Sequence, residues 1–204
     1  MIETASFVDA LQSRFGPEAV VEQKTRDGVP TFWVGAQNIV EVLRFFKREA
    51  STRFPMLLDL TAIDERLRKN RQQQPDSDFT VVYLLFNPDI CQELRIKVGL
   101  KGDQPSLPTC VGVWSSADWY EREVYDMFGV RFDGHPHLQR ILMPRSWEGH
   151  PLRKDHPARA TEMGRFRLWD AKEDLLQEAL EFKPEEWGME RESDESEFLF
   201  VNIG

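Results

Sequence analysis

Phe79-Thr80-Val81-Val82-Tyr83-Leu84-Leu85-Phe86, followed by Asn87-Pro88-Asp89 and then by Glu93-Leu94-Arg95-Ile96-Lys97-Val98-Gly99-Leu100, reads as a β-hairpin. The first run has the length and the aromatic, β-branched character of a buried strand. Asn-Pro-Asp turns the chain, and Glu93–Leu100 is its hairpin partner. Upstream, Met56–Ile63 is apolar and of strand length, and Asp64–Asp78 is polar, rich in Arg and Gln, and reads as a loop. Ser6 is placed to cap a helix running to Phe15, with Phe7, Val8, Leu11 and Phe15 on one face and Gly16-Pro17 as its stop. Val20–Thr25 and Val29–Val34 flank the hairpin signal Asp27-Gly28. Asn38 is placed to cap a second helix, with Ile39, Val42, Leu43 and Phe46 at helical spacing.

Downstream, Ala117–Phe128 is the third helix. Ser115 and Ser116 precede it as candidate caps. Tyr120, Val124, Met127 and Phe128 form one apolar stripe, and Arg122 and Asp126 stand i, i+4 as a candidate pair. Gly129 is placed to end it. This order of helices and hairpins predicts an α+β fold, a mostly antiparallel sheet packed with helices. Tyr83, Leu85, Val124, Met127 and Phe128 are expected in its core.

The net charge of −9 is unevenly spread. Residues 170–204 hold twelve acids against three bases, so residues 1–169 hold 23 of each. The body lacks the basic footprint of a nucleic-acid binder. No apolar run approaches the length of a membrane span, and no signal peptide is visible at the N-terminus. The two cysteines, Cys91 and Cys110, form no CxxC pair, and an iron–sulfur cluster needs about four ligands. They read as small, partly buried side chains.

After Val130–Phe132 the periodicity ends. Prolines at 136, 144, 151 and 157 push the preceding residues toward extended conformations, which predicts an arm rather than a subdomain. Apolar residues recur along it at Ile141, Leu142, Met143, Trp147 and Leu152. All four histidines (135, 137, 150, 156) fall within this window. His135 and His137 alternate on an extended chain and no cysteine adjoins them, so turn-fixing and interface hydrogen bonds fit better than a metal. Glu121, Glu123 and Asp126 could form a paired-carboxylate site, yet they share a short helix with Arg122 and lack a neighbouring nucleophile, so structural pairing is expected. Glycine-rich phosphate loops and a nucleophile elbow are absent from the sequence. Asp170–Leu180 reads as a short acidic helix, and Phe198–Ile203 as an apolar strand-like end.

The run Trp119-Tyr120-Glu121-Arg122-Glu123-Val124-Tyr125-Asp126-Met127-Phe128-Gly129-Val130, then Phe132-Asp133-Gly134-His135-Pro136, resembles the signature of the C subunits of respiratory complex I, the proton-pumping NADH:quinone oxidoreductase. The resemblance continues through Arg140-Ile141-Leu142-Met143-Pro144 and Trp147-Glu148-Gly149-His150-Pro151-Leu152-Arg153-Lys154-Asp155-His156-Pro157. Gln139 departs from it, since the family usually has a basic residue just before Arg140. Residues 160–189 look like the linker of fused C/D polypeptides, and Phe200-Val201-Asn202-Ile203-Gly204 resembles the start of the D part. Both an excised C part and a natural split are compatible with this.

The resemblance implies an α+β scaffold protein in the hydrophilic arm, on the cytoplasmic side of the inner (plasma) membrane and held there through its partners. It implies a D-type neighbour that helps form the quinone pocket. FMN and iron–sulfur clusters would lie in partner subunits, with no catalytic, cofactor or metal residue in this chain. An equivalent scaffold in a ferredoxin-linked or hydrogenase-like membrane complex is the alternative. Three regions are expected: a globular domain over 1–132, a basic Pro/His-rich arm over 133–169, and an acidic helix and linker over 170–204. The arm is expected to dock on the D-type neighbour rather than fold back. Arg140, Arg145, Trp147, His150, Arg153, Lys154 and Arg159 are the expected interface residues, with the arginines mostly exposed in a lone chain.

Overall fold

The computed structural model of the chain describes residues 4–16, 20–69, 74–145 and 147–157. The expected acidic helix, the linker, the strand-like end and Arg159 lie outside the described residues.

Helix α1 (Thr4–Phe15) leads to a hairpin of β1 (Val20–Glu22) and β2 (Thr31–Val34). A 3₁₀ turn (Ala36–Asn38) opens α2 (Ile39–Arg48), and β3 (Met56–Asp64), β4 (Phe79–Asn87) and β5 (Gln92–Leu100) follow. Then come β6 (Ser106–Pro108), α3 (Ala117–Phe128) and β7 (Arg131–Asp133). The main sheet has the order β1-β2-β5-β4-β3. Its pairs are antiparallel except β2 with β5, and β6 pairs with β7 in a second, parallel ladder. The fold is therefore α+β, as the element order predicts.

Period-2 alternation sets the layers. Val81, Tyr83 and Leu85 of β4 and Leu94, Ile96 and Val98 of β5 are buried, whereas Val82, Leu84 and Phe86 are half-buried. The buried set joins one core with Phe7 and Leu11 of α1, Val42, Leu43 and Phe46 of α2, and Val124, Met127 and Phe128 of α3. The helices thus share one face of the sheet, and all five expected core residues lie there. Phe46 gathers Phe7, Phe45 and Phe54 edge-on, an arrangement that adds about 0.5–1.5 kcal/mol per pair beyond area burial.

Some local expectations need correction. Ser6 lies inside α1, which begins two residues earlier. Asn38 closes the 3₁₀ turn, and neither it nor Ser116 makes a side-chain cap bond. Asp64 ends β3 instead of opening a loop. Cys91 is exposed in the β4–β5 turn, and only Cys110 is buried. β3 is an edge strand, and its pairing with β4 shifts register between Leu57 and Asp59. There Tyr120 Oη donates to the Leu58 carbonyl at 3.0 Å, and Asp59 Oδ1 accepts the Leu60 N–H at 2.8 Å.

Candidate functional site

Helix α3 carries the signature acids Glu121, Glu123 and Asp126, and its own chemistry dictates what surrounds it. Trp114 Nε1 donates to the Pro55 carbonyl at 2.8 Å, which ties the helix start to the segment before β3. Glu121 points inward and is fully buried. Its carboxylate accepts from Thr109 Oγ1 and, at 2.6 Å, from the Cys110 N–H. Burial outweighs these donors and holds the Glu121 carboxyl above its ordinary range. Burial likewise pushes the Cys110 thiol up, helped by the Glu121 charge beside it. This cysteine is a protonated core residue rather than a thiolate ligand. Two thiols in the whole sequence, one buried and one exposed, do not fit an iron–sulfur cluster.

The last turn of a helix leaves carbonyls without intrahelical partners. In α3 the chain after β7 supplies them. His150 Nδ1 lies 2.9 Å from the Asp126 carbonyl, the Leu152 N–H donates to the Met127 carbonyl at 3.0 Å, and Arg153 Nε donates to the Phe128 carbonyl. Gly129 ends the helix at φ +73°, and its N–H donates to the Tyr125 carbonyl. A Cβ there would sit 2.5 Å from His150 Nε2 and 2.6 Å from Arg153 Nη2, so glycine is required by backbone conformation and by close packing.

Asp126 is the second anchor. Its side chain is wholly buried, and it accepts from Arg140 Nη1 at 2.9 Å. Its Oδ2 accepts the successive N–H groups of Ile141, Leu142 and Met143 at 3.1, 2.8 and 2.9 Å. The expected Arg122–Asp126 pair is not formed. Arg122 instead stacks over Trp119 and donates from Nε to the Gln139 carbonyl at 3.3 Å.

A third anchor lies at the end of β3. Asp64 is buried, accepts the Lys154 N–H at 2.8 Å, and is gripped by the Arg66 guanidinium, which also bridges to Asp155. Arg66 and Arg153 both stack on the Phe79 ring, at 4.9 and 5.0 Å. Burial opposes ionisation of Asp64, but the bonds from Arg66 and Lys154 prevail and hold its pKa at about 2 against an ordinary 3.8. A depressed carboxylate contributes stability that is present above the ordinary value and lost as pH falls through the folded one. Asp64→Asn is therefore expected to remove about 2 kcal/mol at neutral pH and to flatten the stability loss between pH 4 and 2. Urea melts across that range check this, and an unchanged acid limb would refute it. Glu121 works in the opposite sense: its contribution is present below its ordinary pKa and declines as pH rises.

Residues 134–145 and 147–157 thus fold back on the domain rather than leaving it, while 146 and 158–169 of the expected arm lie outside the described residues. The three carbonyls of α3 and two buried carboxylates need donors, and this segment carries them. Of the expected interface residues, Arg140, His150 and Arg153 are committed to these contacts and are only partly exposed. Trp147 is half-buried against His156. Arg145 and Lys154 are exposed, and Arg145 Nη2 reaches Gln139 Oε1 at 3.4 Å. Glu123 and Pro136 are exposed, and Gly134 turns the chain at φ +82°. The boundary expected at 132 falls inside β7. Sequence reasoning does not single out Thr109, Asp64 or Arg66; the available signal for Asp64 is a carboxylate closing an apolar strand. Among the described residues no group of three or more His, Cys, Asp or Glu gathers as a metal site, and no helix is long and apolar enough to cross a membrane.

Residues 32–162 match the protein family described as the respiratory-chain NADH dehydrogenase 30 Kd subunit. The chain is 52% identical over 199 residues to the NADH-quinone oxidoreductase C/D protein of Methylococcus capsulatus, covering 98% of this chain and 34% of that protein. It is 50% identical over 197 residues to the protein of the same name from Azotobacter vinelandii, covering 97% of this chain and 33% of the other. The chain therefore spans about a third of the length of these curated relatives. Among solved structures, the trypsin-resistant fragment (1-134) of Nqo5 aligns with a TM-score of 0.54 at 25% identity, covering 64% of this chain and 98% of that one. The membrane-bound sulfane sulfur reductase, an archaeal respiratory membrane complex, contains a chain that aligns with a TM-score of 0.61 at 25% identity, covering 78% of this chain and 89% of its own.

Proposed function

We propose, from the premise that the chain belongs to the family of the respiratory-chain NADH dehydrogenase 30 Kd subunit and matches the C part of C/D proteins, that it is a non-catalytic scaffold of the hydrophilic arm. In this reading it supports a D-type subunit and the quinone-site region from the cytoplasmic side of the membrane. The observation that carries it is the fate of two of the signature acids of α3; the third, Glu123, is exposed. Glu121 and Asp126 are buried and engaged by internal donors, so neither presents a lone pair or proton to a substrate. Electrons would pass through FMN and iron–sulfur clusters held by partner subunits. The C/D relatives, in which one polypeptide joins both parts, support a D-type partner.

An equivalent scaffold role in a ferredoxin-linked or hydrogenase-like membrane complex is the second reading, and the likeness to a chain of the archaeal sulfane sulfur reductase complex favours keeping it. Purification separates the readings. The isolated chain is expected to lack a visible absorption band and stoichiometric metal, and to co-purify from cells with a D-type subunit and NADH-oxidising partners. A flavin or cluster bound by the isolated chain would overturn the scaffold role. Co-purification with a hydrogenase-like or ferredoxin-linked set would select the second reading.

A further inference from the structure

The ring nitrogens of His135 have different duties. The backbone N–H of His137 donates to His135 Nδ1 at 3.0 Å. A ring nitrogen that accepts a hydrogen bond carries no proton, so the neutral ring holds its proton on Nε2. Nε2 lies 3.3 Å from the Asp118 carbonyl oxygen, 3.0 Å from Asp118 Oδ1 and 4.0 Å from Glu121 Oε2. The ring is wholly buried, and Asp118 Oδ1 is buried without a hydrogen bond among the described residues. His150 shows the opposite tautomer, because its Nδ1 faces a carbonyl oxygen and must donate.

This arrangement opposes two demands. A positive charge on the ring would face the carboxyl groups of Asp118 and Glu121, from successive turns of α3. The His137 N–H excludes one, since both nitrogens of an imidazolium are donors. Adding the second proton supplies the carboxylates with a counter-charge but breaks the bond that closes the 135–137 turn. The groups facing the ring from α3 are Asp118 and Glu121. Behind Glu121 stand Thr109 and Cys110 before the helix and the Tyr83 hydroxyl of β4. His137 follows in the ring's own turn.

We propose that His135 is a proton-operated latch at the root of the folded-back segment. Its neutral form holds the turn at 135–137, and protonation of Nδ1 opens it and loosens the chain leading to the Asp126 anchor. The latch depends on ring geometry alone and is independent of the scaffold reading.

Two measurements on the full 204-residue chain test it. Imidazole nitrogen resonances of isotope-labelled histidine at pH about 8 are expected to show His135 protonated at Nε2 and bare at Nδ1, with His150 reversed. As the pH is lowered and the Nδ1 resonance reports its proton, amide-exchange protection of His137 should fall roughly tenfold or more, after correction for the intrinsic rate. His135→Asn keeps an acceptor oxygen near the Nδ1 position and cannot titrate, so this fall should vanish in that variant. Four results would overturn the latch: Nδ1 protonated at the higher pH, unchanged His137 protection while the ring titrates, a ring that never titrates, or a fall that persists in His135→Asn. If that variant does not fold, the tautomer and exchange of the unaltered chain decide alone.

Discussion

Asp126→Ala is expected to destabilise the domain by about 3–5 kcal/mol, the cost of removing one partner from a buried charge pair. The substitution leaves the Arg140 guanidinium, only 17% exposed, without its carboxylate. It also strands the N–H groups of Ile141, Leu142 and Met143, which converge on one oxygen. An unsatisfied buried donor costs about 1–3 kcal/mol, although three neighbours that relax together will not add in full. Asp126→Asn retains an acceptor oxygen while losing the charge, so its loss should be clearly smaller. Urea denaturation of both variants measures the difference. A loss under about 1 kcal/mol for Asp126→Ala would mean that the segment after β7 is not held by this carboxylate.

Phe128→Ala should cost a similar amount, about 3–5 kcal/mol, by a different route. Its ring is 8% exposed and closes the core where α3 meets the sheet. Truncation removes apolar burial and leaves a cavity between elements that cannot easily collapse. The Phe128 carbonyl, which accepts from Arg153, is untouched, so the folded-back segment keeps its contacts. For a domain of this size the drop in melting temperature should be about 8–15 °C. A shift of only a degree or two would place the ring outside the core.

The elements legible in the sequence are those whose signals are local. Ala117–Phe128 combines a helical stripe with a glycine stop, and it ends where Gly129 turns left-handed. The β4–β5 hairpin is written in two apolar runs around an Asn-Pro-Asp turn. The parallel pairing of β2 with β5 joins residues about sixty positions apart, and no local pattern encodes such a register. β6 has three residues, ends at Pro108, and makes sense only beside β7, where Leu107 faces Phe132.

The candidate site divides the same way. Its members stand out in the signature: Glu121, Asp126, Gly129, His135, Arg140, His150 and Arg153. Their partnerships do not. Asp126 reads as an i, i+4 partner of Arg122 because helix spacing is visible in sequence. Its real donors come from a segment that also caps the carbonyls at the end of α3 and meets Asp64. The demand for caps follows from complete hydrogen-bond accounting in three dimensions. An arm rich in arginine and proline looks the same in sequence whether it caps its own helix or reaches a neighbour.

The central claim is that the signature residues hold shape and do no chemistry. The measurement that bears on it most directly is quinone-dependent NADH oxidation per assembled complex, in complexes carrying Asp126→Asn. Assembly is quantified separately from flavin and iron–sulfur content. A scaffold predicts less assembled complex and a turnover, per complex formed, within about twofold of the unaltered one. Full assembly with turnover reduced a hundredfold or more, about 2.7 kcal/mol of transition-state stabilisation, would contradict it and place Asp126 in the reaction itself.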